Sequence, residues 1–312
     1  MSDAVKVLFP GAFTTLQDPG RYGYQAFGVP ISGCLDLYAH VAANALVGNP
    51  ENAATLEMTV LGPKLEFLRD CRTAMAGGDL RAFLNGAPLS PWRSVAVGKG
   101  DLLSFKGVKT GCRAYLAVNG GFDVPPVMGS RSTYTRGGIG GLDGRPLKAG
   151  DILRKGEGTA VRDLALPESF IPAYPREITC RVVAGPQASF FENLETFYSA
   201  AYEVTAKADR MGYRLKGPAL AFKPSAPQSI VSEAVVPGAI QVPADGQPII
   251  LMGEQTVGGY AKIGGVITPD LWRIAQLRPG DKIHFTPINV ETAQAAYREA
   301  MKRLYDLQRA LA

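Results

Sequence analysis

Histidine is scarce in this chain: only His40 and His284 occur among 312 residues. So few histidines argue against a hydrolase triad built on histidine and against a histidine-rich metal site. His40 falls in a helical pattern and His284 in the alternating pattern of a strand, so we interpret both as structural residues. We therefore expect neither a bound metal nor a histidine base.

Cysteine is also sparse, and its spacing excludes two further classes of protein. The four cysteines show no Cys-x-x-Cys pair and stand far apart: Cys34, Cys71, Cys112 and Cys180. This spacing is typical of reduced thiols rather than of a zinc site or a disulfide-stapled domain. The sequence also has no bilayer-spanning apolar run and no signal-peptide pattern at its start, so we expect a cytoplasmic protein with no membrane partner.

Charge of one sign is not concentrated anywhere along the chain. The formal net charge is +5, and the lysines and arginines are dispersed without a basic stripe. Nucleic-acid binding is therefore not expected, whereas a small anionic substrate suits this weakly basic balance. Motifs typical of P-loop nucleotide binding, dinucleotide binding, serine hydrolases and zinc proteases are absent as well.

Glycine and proline are abundant, at 36 and 23 residues, and they separate many short apolar segments. Three of these segments follow the same turn pair: Gly100-Asp101, Gly150-Asp151 and Gly280-Asp281. Helical periodicity is clearest after Asp36, a good N-cap, and in the amphipathic C-terminal segment 289–312. The pattern predicts a mainly β fold with a few helices, arranged as barrel-like domains.

Segment 14–30 organises the rest of the interpretation. Its glycines and the turn at Asp18-Pro19-Gly20 predict an irregular binding loop that carries Arg21. The motif Arg21-x-Gly23-Tyr24 is matched downstream by Arg210-x-Gly212-Tyr213, and a Gly-Pro-x-Leu-x-Phe motif also occurs twice. These echoes predict two pseudo-repeated halves, residues 1–165 and 176–312, joined by a proline-containing linker within 156–177.

Two further glycine-bearing loops carry polar residues suited to binding or catalysis. The loop 119–151 contains Arg131, and the loop 254–260 contains Gln255 and is followed by Lys262. Arginines and loop amides can bind a carboxylate or phosphate, and carboxylates can act as general bases. Each charged residue could equally stabilise its own turn, so the residues alone predict only a loop-built site on a β-rich scaffold.

An ordered set of motifs resembles the carboxyltransferase/allophanate hydrolase subunit 2 family. The motifs are Thr14-Thr15-Leu16-Gln17-Asp18-x-Gly20-Arg21, Gly28-Val29-Pro30-x-Ser32-Gly33-x-x-Asp36, Gly129-Ser130-Arg131-Ser132-Thr133, Asp209-Arg210-Met211-Gly212 and Gln255-Thr256-x-Gly258-Gly259-Tyr260. The match covers nearly the whole chain. The resemblance implies a cyclophilin-like β-barrel fold in two related halves, in agreement with the internal echoes.

The resemblance also implies a function, a cofactor and partners. Stand-alone members of the family serve an ATP-dependent 5-oxoprolinase, which opens 5-oxoproline to L-glutamate. Their partners are the B subunit of that enzyme, which is similar to allophanate hydrolase subunit 1, and its A subunit. ATP would be bound with the partner. From the matching motifs we assign catalytic roles to Asp36, Arg131 and Lys262, and substrate binding to three further residues: Arg21, Arg210 and Gln255.

The resemblance leaves one local question and two other functions open. The loop before Gln255 lacks the aspartate usual in the family, so Glu254 is the candidate to replace it. The same module takes part in biotin-dependent carboxyl transfer to a urea-like amide, which would require biotin and separate carrier partners. It also occurs as a non-enzymatic antagonist of a kinase inhibitor, which sequesters the B subunit.

Overall fold

The computed structural model describes residues 2–158 and 163–311, and the chain forms two compact units. Unit 1 comprises Met1–Tyr22, Ser32–Tyr174 and Arg303–Ala312, whereas unit 2 comprises Gly23–Ile31 and Pro175–Lys302. The sequence places the division within 166–175, close to the observed change at Pro175. The segments Gly23–Ile31 and Arg303–Ala312, however, belong to the unit opposite to the half in which the sequence places them.

Unit 1 consists of two β-sheets and a helix. Its elements are β1 (Ser2–Phe9), β2 (Phe13–Gln17), α1 (Leu37–Leu46), β3 (Thr55–Thr59), β4 (Lys64–Phe67), β5 (Cys71–Asp79), β6 (Ala82–Leu84), β7 (Ala87–Leu89), β8 (Arg93–Val97), β9 (Leu102–Phe105), β10 (Thr110–Val118) and β11 (Ile152–Lys155). One sheet has the order β11-β1-β4-β9-β6-β7, and the other has the order β2-β3-β10-β5-β8.

Strand β10 has a sequence that is apolar on both faces, because each face packs against a hydrophobic cluster. Leu116 belongs to a core cluster that also contains side chains from the other sheet, such as Val5 and Phe67. Tyr115 and Ala117, which point to the opposite face, pack in a second cluster with α1. Because both faces are covered, every residue of β10 after Thr110 is buried.

Unit 2 is built around a barrel. Its elements are β12 (Glu177–Ala184), α2 (Leu194–Ser199), β13 (Tyr202–Val204), β14 (Gly212–Lys216), β15 (Glu233–Ala234), β16 (Ala239–Val242), β17 (Ile249–Leu251), β18 (Val257–Gly258), β19 (Ala261–Val266), α3 (Leu271–Ala275), β20 (Lys282–Pro287) and α4 (Val290–Leu311), whose last turns from Arg303 lie in unit 1. The barrel closes in the order β12-β19-β16-β17-β14-β13-β20, which confirms the predicted mainly β, barrel-containing fold.

The three Gly-Asp pairs adopt one local structure, as predicted. Each glycine has a positive φ, between 86° and 92°, which glycine adopts without steric cost. Each aspartate accepts a hydrogen bond from the backbone N–H three residues earlier: Asp101 from Gly98 at 2.7 Å, Asp151 from Lys148 at 2.7 Å and Asp281 from Arg278 at 2.9 Å. Strands β9, β11 and β20 start directly after these turns.

One local prediction was wrong. Segment 14–30 begins in strand β2 rather than in a loop, because residues 13–17 pair with β3 and β-branched Thr14 and Thr15 fit a strand. Of the predicted linker, residues 159–162 lie outside the described residues, whereas residues 164–166 pair with β8 and Trp92, and Leu166 is buried.

The helices of the described ranges 2–158 and 163–311 include none with the length and apolar character needed to cross a membrane. Helix α4 is 22 residues long, but it is amphipathic: Leu307 and Leu311 are buried, whereas most of its other side chains are exposed or half-buried. The amphipathic helix predicted for the C-terminus is therefore confirmed.

Candidate functional site

One buried carboxylate in unit 1 joins two of the predicted motifs. The Oδ1 atom of Asp18 accepts hydrogen bonds from the backbone N–H of Gly20 at 2.9 Å and from the hydroxyls of Ser130 and Ser132. Its Oδ2 atom accepts from the backbone N–H of Arg131 at 2.6 Å. Four donors on one carboxylate fix the loop after β2 against the segment 130–132, so the structure brings these motifs together.

Arg21 lies in the same loop and is fully buried. Its guanidinium donates to the backbone carbonyls of Val127 and Ser132, at 2.9 Å each. Burial lowers the pKa of Arg21, and the nearby Asp18 carboxylate partly offsets this effect. Nη1 of Arg21 has no hydrogen-bond partner within the described part of the chain, so the cation retains one unused donor group.

A pocket of about 340 Å³ opens beside these loops, and Arg131 is one of the residues that line it. The Arg131 Nε donates to the carbonyl of Val124 at 3.0 Å, which anchors the side chain. Asp123 and Glu157 also line it, together with four glycines: Gly48, Gly120, Gly121 and Gly158. A lining with one cation and two acidic residues suits a small ligand that carries both a carboxylate and an N–H group.

Asp36 serves as the N-cap of α1, as its position in the sequence predicted. Its Oδ1 accepts from the backbone N–H of Ala39 at 2.9 Å, and its Oδ2 accepts from the hydroxyl of Tyr174 at 3.2 Å. Its backbone N–H donates to Tyr115 Oη at 2.8 Å, and this hydroxyl in turn donates to the Glu57 carboxylate at 2.6 Å. Burial raises the pKa values of Tyr115 and Tyr174 well above their ordinary range, so both hydroxyls remain protonated donors.

The three other predicted site residues lie in unit 2. The buried guanidinium of Arg210 donates from Nε to the buried carboxylate of Glu254 at 2.5 Å. Glu254, the candidate to replace the family aspartate, thus neutralises Arg210 in this chain. Gln255, which follows it, is half-buried and donates from Nε2 to the carbonyl of Val257 at 2.6 Å.

Lys262 lies on β19 and is almost completely buried. Its ammonium forms an ion pair with Glu233 of β15, and its backbone N–H donates to Gln187 Oε1 at 3.0 Å. Pairing with Lys262 lowers the pKa of the Glu233 carboxyl, with a smaller contribution from the Gln187 side chain. The Lys262 ammonium is already neutralised by the Glu233 carboxylate, which shows that this position can hold an anionic group.

Neither the four cysteines nor any cluster of ligands offers a metal centre in the described residues. No disulfide joins the cysteines, and burial raises the pKa of Cys71 to about 11 and that of Cys180 to about 12. Within 2–158 and 163–311, no group of three or more His, Cys, Asp or Glu side chains is placed to hold a metal ion.

The sequence analysis named Asp18 in a turn and a family motif but gave it no role, and it missed Gln241. The role of Asp18 depends on donors more than 110 positions away, which no local pattern reveals. Gln241 pairs directly opposite Lys262 across β16 and β19. Its polar side chain in the otherwise apolar strand Ala239–Val242 is the signal that could have identified it.

Comparison with known proteins shows to which family this architecture belongs. The model of the carboxyltransferase domain, subdomain A and B, matches residues 27–287. The chain is 38% identical to the C subunit of 5-oxoprolinase of Escherichia coli (strain K12) over 309 residues, covering 98% of this chain and 96% of that protein. It is also 37% identical to the urea amidolyase of Lachancea kluyveri, covering 93% of this chain but only 17% of the length of that relative.

A solved structure shows the same fold. The crystal structure of Kluyveromyces lactis urea carboxylase superposes with a TM-score of 0.91 and 34% sequence identity, covering 97% of this chain and 29% of that one. The sequence match, the coverage and the fold agree, so this chain belongs to the family of the carboxyltransferase domain, subdomain A and B.

Proposed function

We propose that this chain is a subunit of an ATP-dependent 5-oxoprolinase, which opens 5-oxoproline to L-glutamate together with the A and B subunits of that enzyme. The observation that carries the proposal is the end-to-end match to the C subunit of Escherichia coli 5-oxoprolinase, which covers 96% of that relative. The urea amidolyase relative, by contrast, extends far beyond the matched region.

The proposed ligand suits the chemistry of the polar sites. 5-Oxoproline carries one carboxylate and one lactam amide, and the pocket in unit 1 offers Arg131 together with Asp123 and Glu157. Arg131 and Lys262 are the cations that we propose to bind the carboxylate or to stabilise negative charge on the lactam oxygen. Of the two, Lys262 requires displacement of Glu233 before it can do so.

We propose positioning roles for the remaining predicted residues. The donor groups of Arg21 are partly used by backbone carbonyls, Asp36 caps α1, and Arg210 pairs with Glu254. Gln255 bonds the nearby backbone and shapes its loop. In this proposal the four residues hold the loops in place rather than contact the reacting atoms.

ATP does not fit the pocket of unit 1 well. A triphosphate needs several cations or a metal-bound cradle of amides, whereas the lining of this pocket has one cation, Arg131, and two acidic residues, Asp123 and Glu157. We therefore propose that ATP is bound by one of the partners.

Reconstitution tests the proposal. The A and B subunits together with this chain should convert 5-oxoproline to glutamate in an ATP-dependent manner, and omission of this chain should abolish the product.

Arg131→Ala should reduce kcat/KM by roughly 10- to 100-fold, as expected for loss of one charge-assisted contact. The matched control is Arg154→Ala, which removes an exposed arginine of the same unit. Absence of glutamate from the complete mixture would refute the proposal.

A second candidate is carboxyl transfer from biotin to a urea-like amide, favoured by the TM-score of 0.91 to urea carboxylase. In this case the chain would require a biotinylated carrier and a carboxylase as partners. Carboxylation of urea by such a mixture, with no turnover of 5-oxoproline, would support this candidate instead. If the chain binds the B subunit but supports neither reaction, sequestration of that partner becomes the better account.

A further inference from the structure

A two-stranded flap lies on one face of the barrel in unit 2. We define the flap as residues 230–235 together with 256–259, which include β15 and β18. Glu233 pairs with Gly258 and Ala234 with Val257. Ile230 N–H donates to the carbonyl of Gly259 at 2.8 Å, and Val235 N–H donates to that of Thr256 at 3.1 Å.

Two polar side chains of the barrel lie under the flap. Gln241 and Lys262 are directly opposite each other on β16 and β19, so their side chains project from the same face. Gln241 is 4% exposed and Lys262 is 8% exposed. Nε2 of Gln241 finds no hydrogen-bond partner anywhere in residues 2–158 and 163–311. A buried amide donor without a partner is costly, which indicates a group that a ligand would complete.

Gly258 shows how closely the flap approaches this amide. A Cβ atom at position 258 would lie 2.1 Å from Nε2 of Gln241. A side chain at position 258 would therefore require the Gln241 side chain or the flap to move, and the flap covers this amide.

The flap also supplies the charge that neutralises Lys262. Glu233 forms the ion pair with the Lys262 ammonium, yet its side chain remains 48% exposed. Gln187, whose Oε1 accepts from the backbone N–H of Lys262, also contributes to the lowered pKa of the Glu233 carboxyl. Because the Glu233 carboxylate already lies against the Lys262 ammonium, the chemical group that suits this site is a carboxylate.

A small apolar cluster holds the flap. Val235 packs with Ala239, Ile249 and Leu251 of the barrel, and these four buried residues make up that cluster in the described part of the chain. The flap also exposes apolar side chains, since Val231 is 91% exposed. Segments with few buried apolar contacts and exposed backbone hydrogen bonds open most easily, and the lids of binding sites are usually such segments. The flap has both features.

We propose that the flap is a lid over a carboxylate-binding subsite formed by Lys262 Nζ and Gln241 Nε2, in which Glu233 occupies the place of the ligand when no ligand is bound. Opening of the flap removes Glu233 from the Lys262 ammonium, uncovers Nε2 of Gln241 and admits a small carboxylate. The identification of 5-oxoproline as that carboxylate rests on the proposed function; the subsite itself does not.

The test measures binding of acetate and of 5-oxoproline to this chain alone by NMR titration. Glu233→Gln removes the internal competitor, so acetate should bind about tenfold more tightly if the open form is on the order of 10% populated in the wild type. The matched control is Glu203→Gln, which removes an exposed carboxylate from β13 of the same barrel and should leave the affinity unchanged. Addition of Lys262→Met to the Glu233→Gln chain should abolish binding, and addition of Gln241→Ala should weaken it.

A second readout covers variants that bind too weakly to titrate. Hydrogen exchange at the Val235 amide should accelerate in Glu233→Gln and slow again when acetate is added. Acetate affinity and Val235 exchange that are unchanged by Glu233→Gln would overturn the lid. If acetate binds as predicted but 5-oxoproline does not, the subsite stands and the proposed function loses its support.

Discussion

Among single residues, Asp18 contributes most visibly to the loops of unit 1. Its carboxylate accepts from two backbone N–H groups and two serine hydroxyls. Arg131 therefore takes its place beside the pocket through its own backbone bond to Asp18. Asp18, to which we assign no chemical role, thus positions Arg131, for which we propose one.

Asp18→Ala should destabilise unit 1 because it leaves buried donors without an acceptor. We expect a loss of roughly 2–4 kcal/mol in the free energy of unfolding. Urea denaturation followed by fluorescence of the buried Trp92, in a Trp272→Phe background that removes the tryptophan of unit 2, measures this loss in unit 1. Asp143→Asn, at a largely exposed aspartate of the same unit whose φ of 56° asparagine also tolerates, is the control and should change stability by less than about 0.5 kcal/mol. Equal stability of the two variants would contradict the role of Asp18.

His40 predicts a pH dependence of stability. Burial lowers its pKa from the ordinary value of 6.5, although the carbonyl of Glu51 and nearby carboxylates oppose this effect. The neutral imidazole is therefore favoured in the folded state, and the unfolded chain binds a proton more readily. The stabilisation is complete above pH 6.5 and is lost as the pH falls towards the folded-state pKa, at up to about 1.4 kcal/mol per pH unit.

Urea denaturation of unit 1 at about pH 7.5 and about pH 5.5, on either side of the ordinary histidine pKa, checks this expectation. Other groups also titrate in this range, so the comparison is with His40→Gln, which lacks the imidazole. The pH-dependent loss should be smaller in His40→Gln than in the wild type. His284→Gln provides the control at the second histidine, which is partly exposed and bonds Glu177 at the surface. An identical pH dependence of His40→Gln and the wild type would exclude the proposed effect.

At the scale of elements, the sequence predicted what is encoded locally. Helix α1 follows from Asp36 as its N-cap, and the strands after the Gly-Asp turns follow from one glycine and one carboxylate each. Strand β2 was missed because its residues lead directly into a glycine-rich loop. The packing of residues 164–166 was missed because it depends on partners about 70 positions away.

The candidate sites were predictable only in part, for the same reason. Family motifs identified Arg131 and Lys262, but Asp18 and Gln241 gain their roles from segments distant in sequence. The repeated motif Arg-x-Gly-Tyr identified two arginines, Arg21 and Arg210, and both are buried. It did not predict their surroundings, since one bonds backbone carbonyls and the other pairs with a glutamate.

The flap yields a prediction of its own at this scale. Gly258→Ala would place a methyl group against the Gln241 amide, so the flap should lift and its amides should exchange with solvent faster, by about tenfold or more for each 1.4 kcal/mol of lost stability. Gly265→Ala is the matched control, because a Cβ at position 265 of β19 meets no atom within 4 Å. Hydrogen exchange at the Val235 and Ile230 amides, which donate to Thr256 and Gly259 across the flap, provides the measurement, and equal rates in the two variants would contradict close contact of the flap.

At the scale of the whole molecule, the two proposed functions place the chain in different assemblies. The family includes relatives of this chain's length and relatives in which the matched region is a small part. The 5-oxoprolinase proposal and the carboxyl-transfer candidate therefore differ mainly in the partners and substrates they require. Both use a small amide and both need a cation near its oxygen, so the choice of substrate separates them.

The most direct measurement follows both reactions with one preparation of this chain. One mixture contains the A and B subunits of 5-oxoprolinase, ATP and labelled 5-oxoproline; the other contains a biotinylated carrier, a carboxylase, ATP, bicarbonate and urea. Our account predicts labelled glutamate in the first mixture, dependent on ATP and on this chain, and no carboxylated urea in the second. Carboxylated urea without labelled glutamate would contradict it.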